Sequence, residues 1–412
     1  VRPATNWHSA IAHIDADGFY AGCEAVRHPE LKGRPICVLS NQNAFVVAKS
    51  YDAKALGITT AMSVWDAKRL APNAAFLSPD FRYYGQISDK MFSILRRYSP
   101  DIEVYSIDEG FMEMNGIRSL WHKGYRQLAD EIRECVKREV GITVSIGISN
   151  TRTLAKIASE SNKPDGTTVI PGKRIERFLA DIPAQAIPGI GYKRASVLGK
   201  FRIRTAGDLA AADEGLIRRL LGKHGLSLWY ELNGQPVQRV EVNPPTPKSV
   251  ARTSSMGEVT SVRTTIAAYL ARHVMRLVSD LVARRLLARR IGVFLTCKSF
   301  ETTGMEIRLD HPTNSLKRIS KAVMIALDRL YQEGVLYRGS GVIATHISQS
   351  ETATEDLFGL MHEDLRQEKL MLTVNEINQK HGNHMITSAM ASTAKRKPGR
   401  PPRFQYPVHT AG

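Results

Sequence analysis

The chain has 412 residues, with 57 Lys and Arg against 40 Asp and Glu and a formal net charge of +17. It is long enough for roughly two to four domains with cores of their own, and its charge points to a polyanionic partner. No run of 18 apolar residues and no signal-peptide pattern occurs, which favours nucleic acid over a membrane as that partner.

The first strand is read at Ile11-Ala12-His13-Ile14; it runs into Asp15-Ala16-Asp17-Gly18, and a helix is predicted over Phe19–Val26. Residues 31–75 read as an insertion of short strands (Pro35–Leu39, Phe45–Ala48) and helices near Ser50–Leu56 and Ser63–Leu70. Tyr51 and Lys54 stand three apart on one helical face. Such a pair can grip a triphosphate and is equally at home on an ordinary surface. The cysteines, Cys23, Cys37, Cys135 and Cys297, are scattered without a Cys-x-x-Cys pair; they speak for a reducing cytosol and against zinc or a disulfide framework.

From Val104 to Met114 apolar residues alternate on both sides of Asp108-Glu109, the pattern of a β-hairpin with two carboxylates at its tip. Acidic hairpin tips are usually solvated turns, but here a second acidic strand end exists at Asp15. A long helix over Leu120–Val140 and a strand over Ile142–Ile148 complete the strand–helix–strand–strand–helix–strand order of a split βαβ unit. In that arrangement the third strand lies between the first and the second, which brings Asp15 towards Asp108 and Glu109 across 93 positions of sequence. Three clustered carboxylates repel one another unless a cation lies between them. An all-oxygen set suits Mg²⁺ held jointly with substrate phosphates, in outline a two-metal phosphoryl-transfer site.

Asn150–Ser159 reads as the next helix and Asn162-Lys163-Pro164-Asp165-Gly166 as a turn. Lys163 is there either a helix C-terminal charge or a phosphate ligand. Around 183–225, Ile187-Pro188-Gly189-Ile190-Gly191-Tyr192-Lys193-Arg194 has the form of a helix–hairpin–helix. Its Gly189-x-Gly191 turn exposes backbone N–H groups to a DNA phosphate, and Lys193 and Arg194 add attraction that ignores sequence; the same unit also serves elsewhere as scaffold. Gln235–Pro247, with four prolines, reads as a stiff linker. Beyond it a second α/β module spans 248–348, with helices over Thr264–Leu287 and Leu316–Glu333 and strands over Ile291–Cys297, Met305–Leu309 and Gly341–Ile347. Its many cations either form a solvated helix face or clamp a duplex. The tail carries Asp356-Leu357-Phe358-Gly359, a helical stretch to Lys380, and the basic run 395–403, read as a disordered cationic end.

Four stretches together, Ile14-Asp15-Ala16-Asp17-Gly18-Phe19-Tyr20, Tyr105-Ser106-Ile107-Asp108-Glu109, Gly147-Ile148-Ser149 with Leu154-Ala155-Lys156, and Asn162-Lys163-Pro164-Asp165-Gly166, resemble the Y-family translesion DNA polymerases in order and approximate spacing. With the glycine hairpin the resemblance covers about residues 10–240. It implies an α+β multidomain fold in the form of a right hand. Residues 1–30 and 76–170 would be a split-βαβ palm, 31–75 the small fingers, 171–240 a helix–hairpin–helix thumb, 248–348 a separate α/β little finger, and 349–412 a partner-binding tail. Ala53-Lys54-Ala55-Leu56-Gly57 and Glu368-Lys369-Leu370-Met371 are most similar to the catalytic subunit of bacterial DNA polymerase V, the UmuC type.

The resemblance further implies error-prone, Mg²⁺-dependent addition of deoxynucleotides opposite damaged template, in the SOS response of the bacterial cytoplasm at the nucleoid. Asp15, Asp108 and Glu109, with the Ala16 carbonyl, would hold two Mg²⁺ ions. Tyr20 would be the steric gate against ribonucleotides. Gly18, Phe19, Tyr20, Tyr51, Lys54 and Lys163 would bind the deoxynucleoside triphosphate, and Phe45 and Val47 would lie against the nascent base pair. Gly189, Gly191, Lys193, Arg194 and Arg252 would contact primer–template DNA. Leu357 and Phe358 keep the Leu-Phe anchor of a reduced sliding-clamp peptide. The polymerase V likeness adds a processed UmuD-like dimer and a RecA-type recombinase as partners. Two other readings remain: a catalytically idle DNA-binding scaffold at stalled forks, which has no need of an electrostatically costly carboxylate cluster, and a nucleotide cyclase, which has no need of the glycine hairpin or the second basic module.

Overall fold

The computed structural model describes residues 7, 9–40, 43–350, 362–381 and 385–393. Two compact units divide the chain, Val1–Pro244 and Pro245–Gly412.

The first unit is built on a five-stranded sheet in the order β5-β6-β1-β7-β8, where β1 is Ile11–Ala16, β5 Ile102–Val104, β6 Glu109–Glu113, β7 Val144–Ser149 and β8 Thr167–Val169. β1 runs antiparallel to both β6 and β7, so the third strand of the split βαβ order lies between the first and second as expected. Period-two alternation sorts the β1 side chains to opposite faces. Ala12, Ile14 and Ala16 join the main core beneath helices Phe81–Leu95 and Tyr125–Val140. Ile11, His13 and Asp15 point to the face covered by helix Arg152–Glu160. Full burial of side chains such as Ile14, Met112, Leu128 and Ile146 contributes about 1.5–3 kcal/mol each.

Helix Arg152–Glu160 lies unusually close to the sheet. A Cβ added to Gly147 would fall 2.1 Å from the Ala155 carbonyl oxygen and 2.2 Å from the Ser159 nitrogen. Only glycine on β7 permits that seat.

Two expectations change here. The helix expected over Leu120–Val140 is two helices, Ile117–Trp121 and Tyr125–Val140. His122 takes a left-handed conformation (φ 50°), and Gly124 starts the second helix with its N–H donated to the Gln127 side chain at 2.9 Å. The insertion after the Phe19–Arg27 helix forms a sheet β3-β2-β4 from β2 Ile36–Leu39, β3 Val46–Lys49 and β4 Ala75–Leu77. β4 pairs in parallel with β2, so this sheet runs past the boundary expected at residue 75. At three residues, β4 is too short to show a period. Helices Tyr192–Gly199, Ala206–Ala211 and Glu214–Leu232 pack Leu198, Leu209 and Ile217 into a second core that they share with Leu154, Ile157 and Ala158 of helix Arg152–Glu160.

The second unit is a four-stranded antiparallel sheet, β11-β10-β12-β9, of β9 Ser249–Thr260, β10 Leu286–Cys297, β11 Thr302–Thr313 and β12 Tyr337–Gln349. Helices Arg263–Ala283 and Leu316–Leu330 pack on it around Leu277, Leu281, Val323 and Leu327. The module is therefore α+β in layering rather than α/β. β9 has no counterpart in the sequence reading, because Ser249–Thr260 is mostly polar, without apolar alternation, and only Val250 and Met256 are buried. The first helix stops at Ala283 instead of Leu287: Arg285 turns the chain at φ 53° and Leu286 already belongs to β10. Helix His362–His381 packs on this unit through Met371 and Val374. Leu357, Phe358 and the basic run 395–403 lie outside the described residues. Among those residues no helix is long and apolar enough to cross a membrane, and all four cysteines are free thiols.

Gly147→Ala should lower the stability of the first unit by about 1–3 kcal/mol, the usual cost of overpacking, read as an earlier unfolding transition in denaturant. An unchanged transition would mean that the Arg152–Glu160 helix is not seated on β7.

Candidate active site

The carboxylates meet where β1 ends and β6 begins. Asp15 stands opposite Glu109 in the β1–β6 register, and the Ala16 N–H donates to the Asp108 carbonyl at 2.8 Å. His13, Asp15 and Glu109 bring one potential ligand atom each to within 4.8 Å of one another. Asp108 is not part of that trio: its carboxylate accepts a 2.5 Å hydrogen bond from the Ser106 hydroxyl. It nevertheless lies near enough to help raise the pKa of Asp15.

Each central carboxylate has its own ammonium group. Lys163 Nζ lies 2.5 Å from Asp15 Oδ1 and 2.6 Å from Glu160 Oε1, and Lys156 pairs with Glu109. Burial pushes Asp15 up to about 7 despite the pull of Lys163. Burial also acts on Glu109, but hydrogen bonds from His13 and Lys156 outweigh it and hold the carboxyl at about 2. Burial lowers the pKa of His13, whose ring has no exposure to water.

Asp17, only two residues beyond Asp15, does different work. Its buried carboxylate accepts the Ser145 hydroxyl and the Asp165 N–H, both at 2.8 Å. Asp165 is itself gripped by Arg133 at 2.6 Å and Lys137 at 2.7 Å. The 162–166 turn is so tight that a Cβ on Gly166 would fall 1.7 Å from the Asn162 carbonyl oxygen. Asp17 and Gly166 thus fix the turn that presents Lys163 to Asp15.

The expected nucleotide contacts surround this point. Gly18 caps helix Phe19–Arg27 in a left-handed conformation, φ 54°, with the Lys49 carbonyl oxygen 3.0 Å from where a Cβ would be. Tyr20 stacks on Tyr84 with ring centroids 4.7 Å apart and meets the edge of Phe81 at 5.6 Å. Tyr84 is fixed in turn by donating to Glu24 at 2.6 Å. Phe19 packs into the core, which leaves only its backbone for a ligand. Tyr51 and Lys54 share the first turns of helix Tyr51–Ala55, the Lys54 ammonium 5.5 Å from the Tyr51 ring centre. Burial, then the nearby Asp17, pushes the Tyr51 hydroxyl up to about 12, so this phenol belongs to the same neighbourhood. Phe45 is 44% exposed, and Val47 packs against the main core.

Further along, Gly189 turns the hairpin at φ 86° and Gly191 is the N-cap of helix Tyr192–Gly199. Lys193 is exposed. Arg194 donates to the Gly189 carbonyl at 2.7 Å and so closes the turn. Arg252 is placed otherwise than expected. It shares the inward face of β9 with Val250 and Met256 and pairs with Asp280 on helix Arg263–Ala283. Its guanidinium faces its own helix layer, as the period of two dictates.

Sequence reasoning gave no role to His13, Lys156 or Ser106. His13 was within reach of it, since i and i+2 on a strand share a face with Asp15; nothing local marks Lys156 or Ser106. The donor set suits a hard divalent cation. It offers carboxylate oxygens at a strand end, and their charge is met here by two lysines that a cation can replace.

Models of the impB/mucB/samB family match residues 14–160, and of the C-terminal domain of that family residues 247–357. The chain is 32% identical to DNA polymerase IV of Bacillus velezensis over 384 residues, 91% of each chain. It is 37% identical to DNA polymerase IV of Neisseria meningitidis serogroup B over 226 residues, 54% of this chain and 70% of that one. Among solved structures it resembles a Y-family DNA polymerase chimera of Dbh and Dpo4, at TM-score 0.71 and 23% identity over 82% of this chain and 99% of that one. An insertion ternary complex of Dbh DNA polymerase matches at TM-score 0.57 and 23% identity, over 82% and 98% of the two chains. The relatives from Bacillus velezensis and Neisseria meningitidis carry the name DNA polymerase IV, not that of the polymerase V subunit. The chain belongs to the impB/mucB/samB family, the Y-family DNA polymerases.

Proposed function

We propose that this protein is a Mg²⁺-dependent, template-directed DNA polymerase that adds deoxynucleotides opposite damaged template with low fidelity, in the bacterial cytoplasm during the response to DNA damage. One observation carries the reading: Asp15 and Glu109 stand side by side in the β1–β6 register, each neutralised by a lysine, with Asp108 near enough to the stacked Tyr20 to add to burial in raising its pKa. Two Mg²⁺ held by Asp15, Asp108, Glu109 and the Ala16 carbonyl would lower the pKa of the primer 3′-hydroxyl and stabilise charge on the α-phosphate.

The remaining groups position the substrate. Lys163, released from Asp15, pairs with the triphosphate together with Tyr51 and Lys54. Tyr20, braced by Tyr84 and Phe81, fills the space that a ribose 2′-hydroxyl would need. Phe45 and Val47 lie against the nascent pair, and the Gly189–Gly191 turn with Lys193 holds a backbone phosphate. A UmuD-like dimer and a RecA-type recombinase rested on the polymerase V likeness alone, which the names of the relatives do not support. Leu357 and Phe358 then remain as the anchor for a sliding clamp.

Primer extension on undamaged and abasic templates tests the reading. The purified chain should extend both with Mg²⁺, and Asp108→Ala with Glu109→Ala should reduce the rate by about 10²–10³-fold or more. No extension by the unmodified protein, with DNA binding intact, would favour an idle scaffold at stalled forks. Tyr20→Ala should raise ribonucleotide use by about 10-fold or more while deoxynucleotide addition persists; unchanged sugar discrimination would remove Tyr20 from that role. Leu357→Ala with Phe358→Ala should weaken binding to the replication clamp, and equal binding by both proteins would leave 354–358 as linker.

A further inference from the structure

Behind Glu109 lies a group that the polymerase reading does not use. His13 is fully buried, opposite Phe111 on one side and Gly147 on the other, with its ring 4.7 Å from that of Phe111. Nε2 is 3.1 Å from Glu109 Oε2 and Nδ1 is 2.7 Å from Ser159 Oγ. A neutral imidazole has one N–H, and a carboxylate can only accept. The proton that faces Glu109 therefore sits on Nε2, while the single hydrogen of the Ser159 hydroxyl is shared between two acceptors within reach, Nδ1 and the Lys156 carbonyl at 2.8 Å. Ser159 reaches the ring because Gly147 lets helix Arg152–Glu160 settle onto β7.

Both contacts of Glu109, from His13 and from Lys156, fall on Oε2. Lys156 sits on a flexible stem and its side chain is partly exposed; it can leave. His13 is walled in and cannot. We propose that His13 is a positioning residue of the polymerase site, which locks Oε2 of Glu109 through its Nε2–H and so turns Oε1 towards the catalytic cation whether or not Lys156 is engaged. Metal-bound carboxylates and histidines elsewhere depend on such outer partners, whose loss costs about 10–100-fold in metal affinity. The inference rests on reading the carboxylates as a divalent-cation site.

The test is Mn²⁺ binding to the purified chain, followed by the paramagnetic signal of free Mn²⁺, beside a Mg²⁺ titration of primer extension. His13→Leu should weaken Mn²⁺ binding by about 10–100-fold and raise the Mg²⁺ needed for half-maximal extension by a similar factor, with the rate at saturating Mg²⁺ largely kept. His13→Gln, whose amide N–H can reach the same oxygen, should recover most of the affinity. Ser159→Ala, a milder change, should shift both titrations in the same direction by less. If His13→Leu and His13→Gln bind Mn²⁺ as the unmodified chain does, or lose affinity equally and only in step with a lower melting temperature, the positioning role is overturned. No Mn²⁺ binding by the unmodified chain would instead overturn the metal site itself, and the role of His13 with it.

Discussion

Two carboxylates side by side and largely withdrawn from water are the constraint around which the first unit is arranged. Each ion in such a place forfeits several kcal/mol of hydration, and leaving either unpaired costs about 3–5 kcal/mol. The fold meets this with Lys163 on Asp15 and Lys156 on Glu109, delivered by two successive pieces of backbone, the 162–166 turn and helix Arg152–Glu160. Both pieces are held by glycines whose replacement would drive a Cβ into backbone, Gly166 against Asn162 and Gly147 against Ala155. The electrostatics of the site and the close packing behind it are thus one problem with one solution.

The same helix ties the centre to the helix–hairpin–helix region. Glu231 of helix Glu214–Leu232 is fully buried and accepts the Thr153 N–H at 2.8 Å and those of Val237 and Gln238 at 3.1 and 3.0 Å. Its carbonyl receives the Thr151 hydroxyl at 3.0 Å. Three donors on one buried carboxylate offset its desolvation, and they include an otherwise orphan N–H at the start of helix Arg152–Glu160. Arg152 extends the connection, with one arm on Glu103 and another on the Arg239 carbonyl. Lys156 and Ser159, which touch Glu109 and His13, follow on that helix within two turns.

Asp15, Asp108 and Glu109 were legible in the sequence because two strand ends with alternating patterns, placed in one supersecondary order, force them together. Tyr20 was named only through the resemblance, and Lys163 was singled out from its turn, but neither reading of it named the pairing with Asp15. Asp17 and Lys156 owe their roles to depth and to partners more than 40 residues away, which no local spacing encodes, whereas the spacing of His13 to Asp15 gave its face but not its partners, Glu109 and Ser159. β9 escaped notice for a related reason: a strand that buries only two apolar residues in twelve carries almost no alternating signal. Arg252 on that strand was read as a DNA contact from the family resemblance, whereas its parity with Val250 decides which face it takes. The break at His122–Gly124 was missed because apolar periodicity continues on both sides of it.

Asp15 and Asp17 sharpen the distinction between motif and role. They are neighbours in one Asp-x-Asp sequence, yet Asp17 is satisfied by a hydroxyl and a backbone N–H and Asp15 by a lysine side chain. A carboxylate bound by fixed neutral donors has nothing to exchange; one bound by an ammonium has a counter-charge that a cation can replace. Withdrawing Lys163 alone would strand a buried anion, so on the proposed reading its departure is favourable only when a cation replaces it at Asp15. A nucleoside triphosphate arriving with its divalent ion supplies both halves at once, the cation for Asp15 and the phosphates for Lys163. On that reading the ion pair at rest would disfavour entry of either component by itself, and the site would select the metal–nucleotide complex before any base pair is inspected.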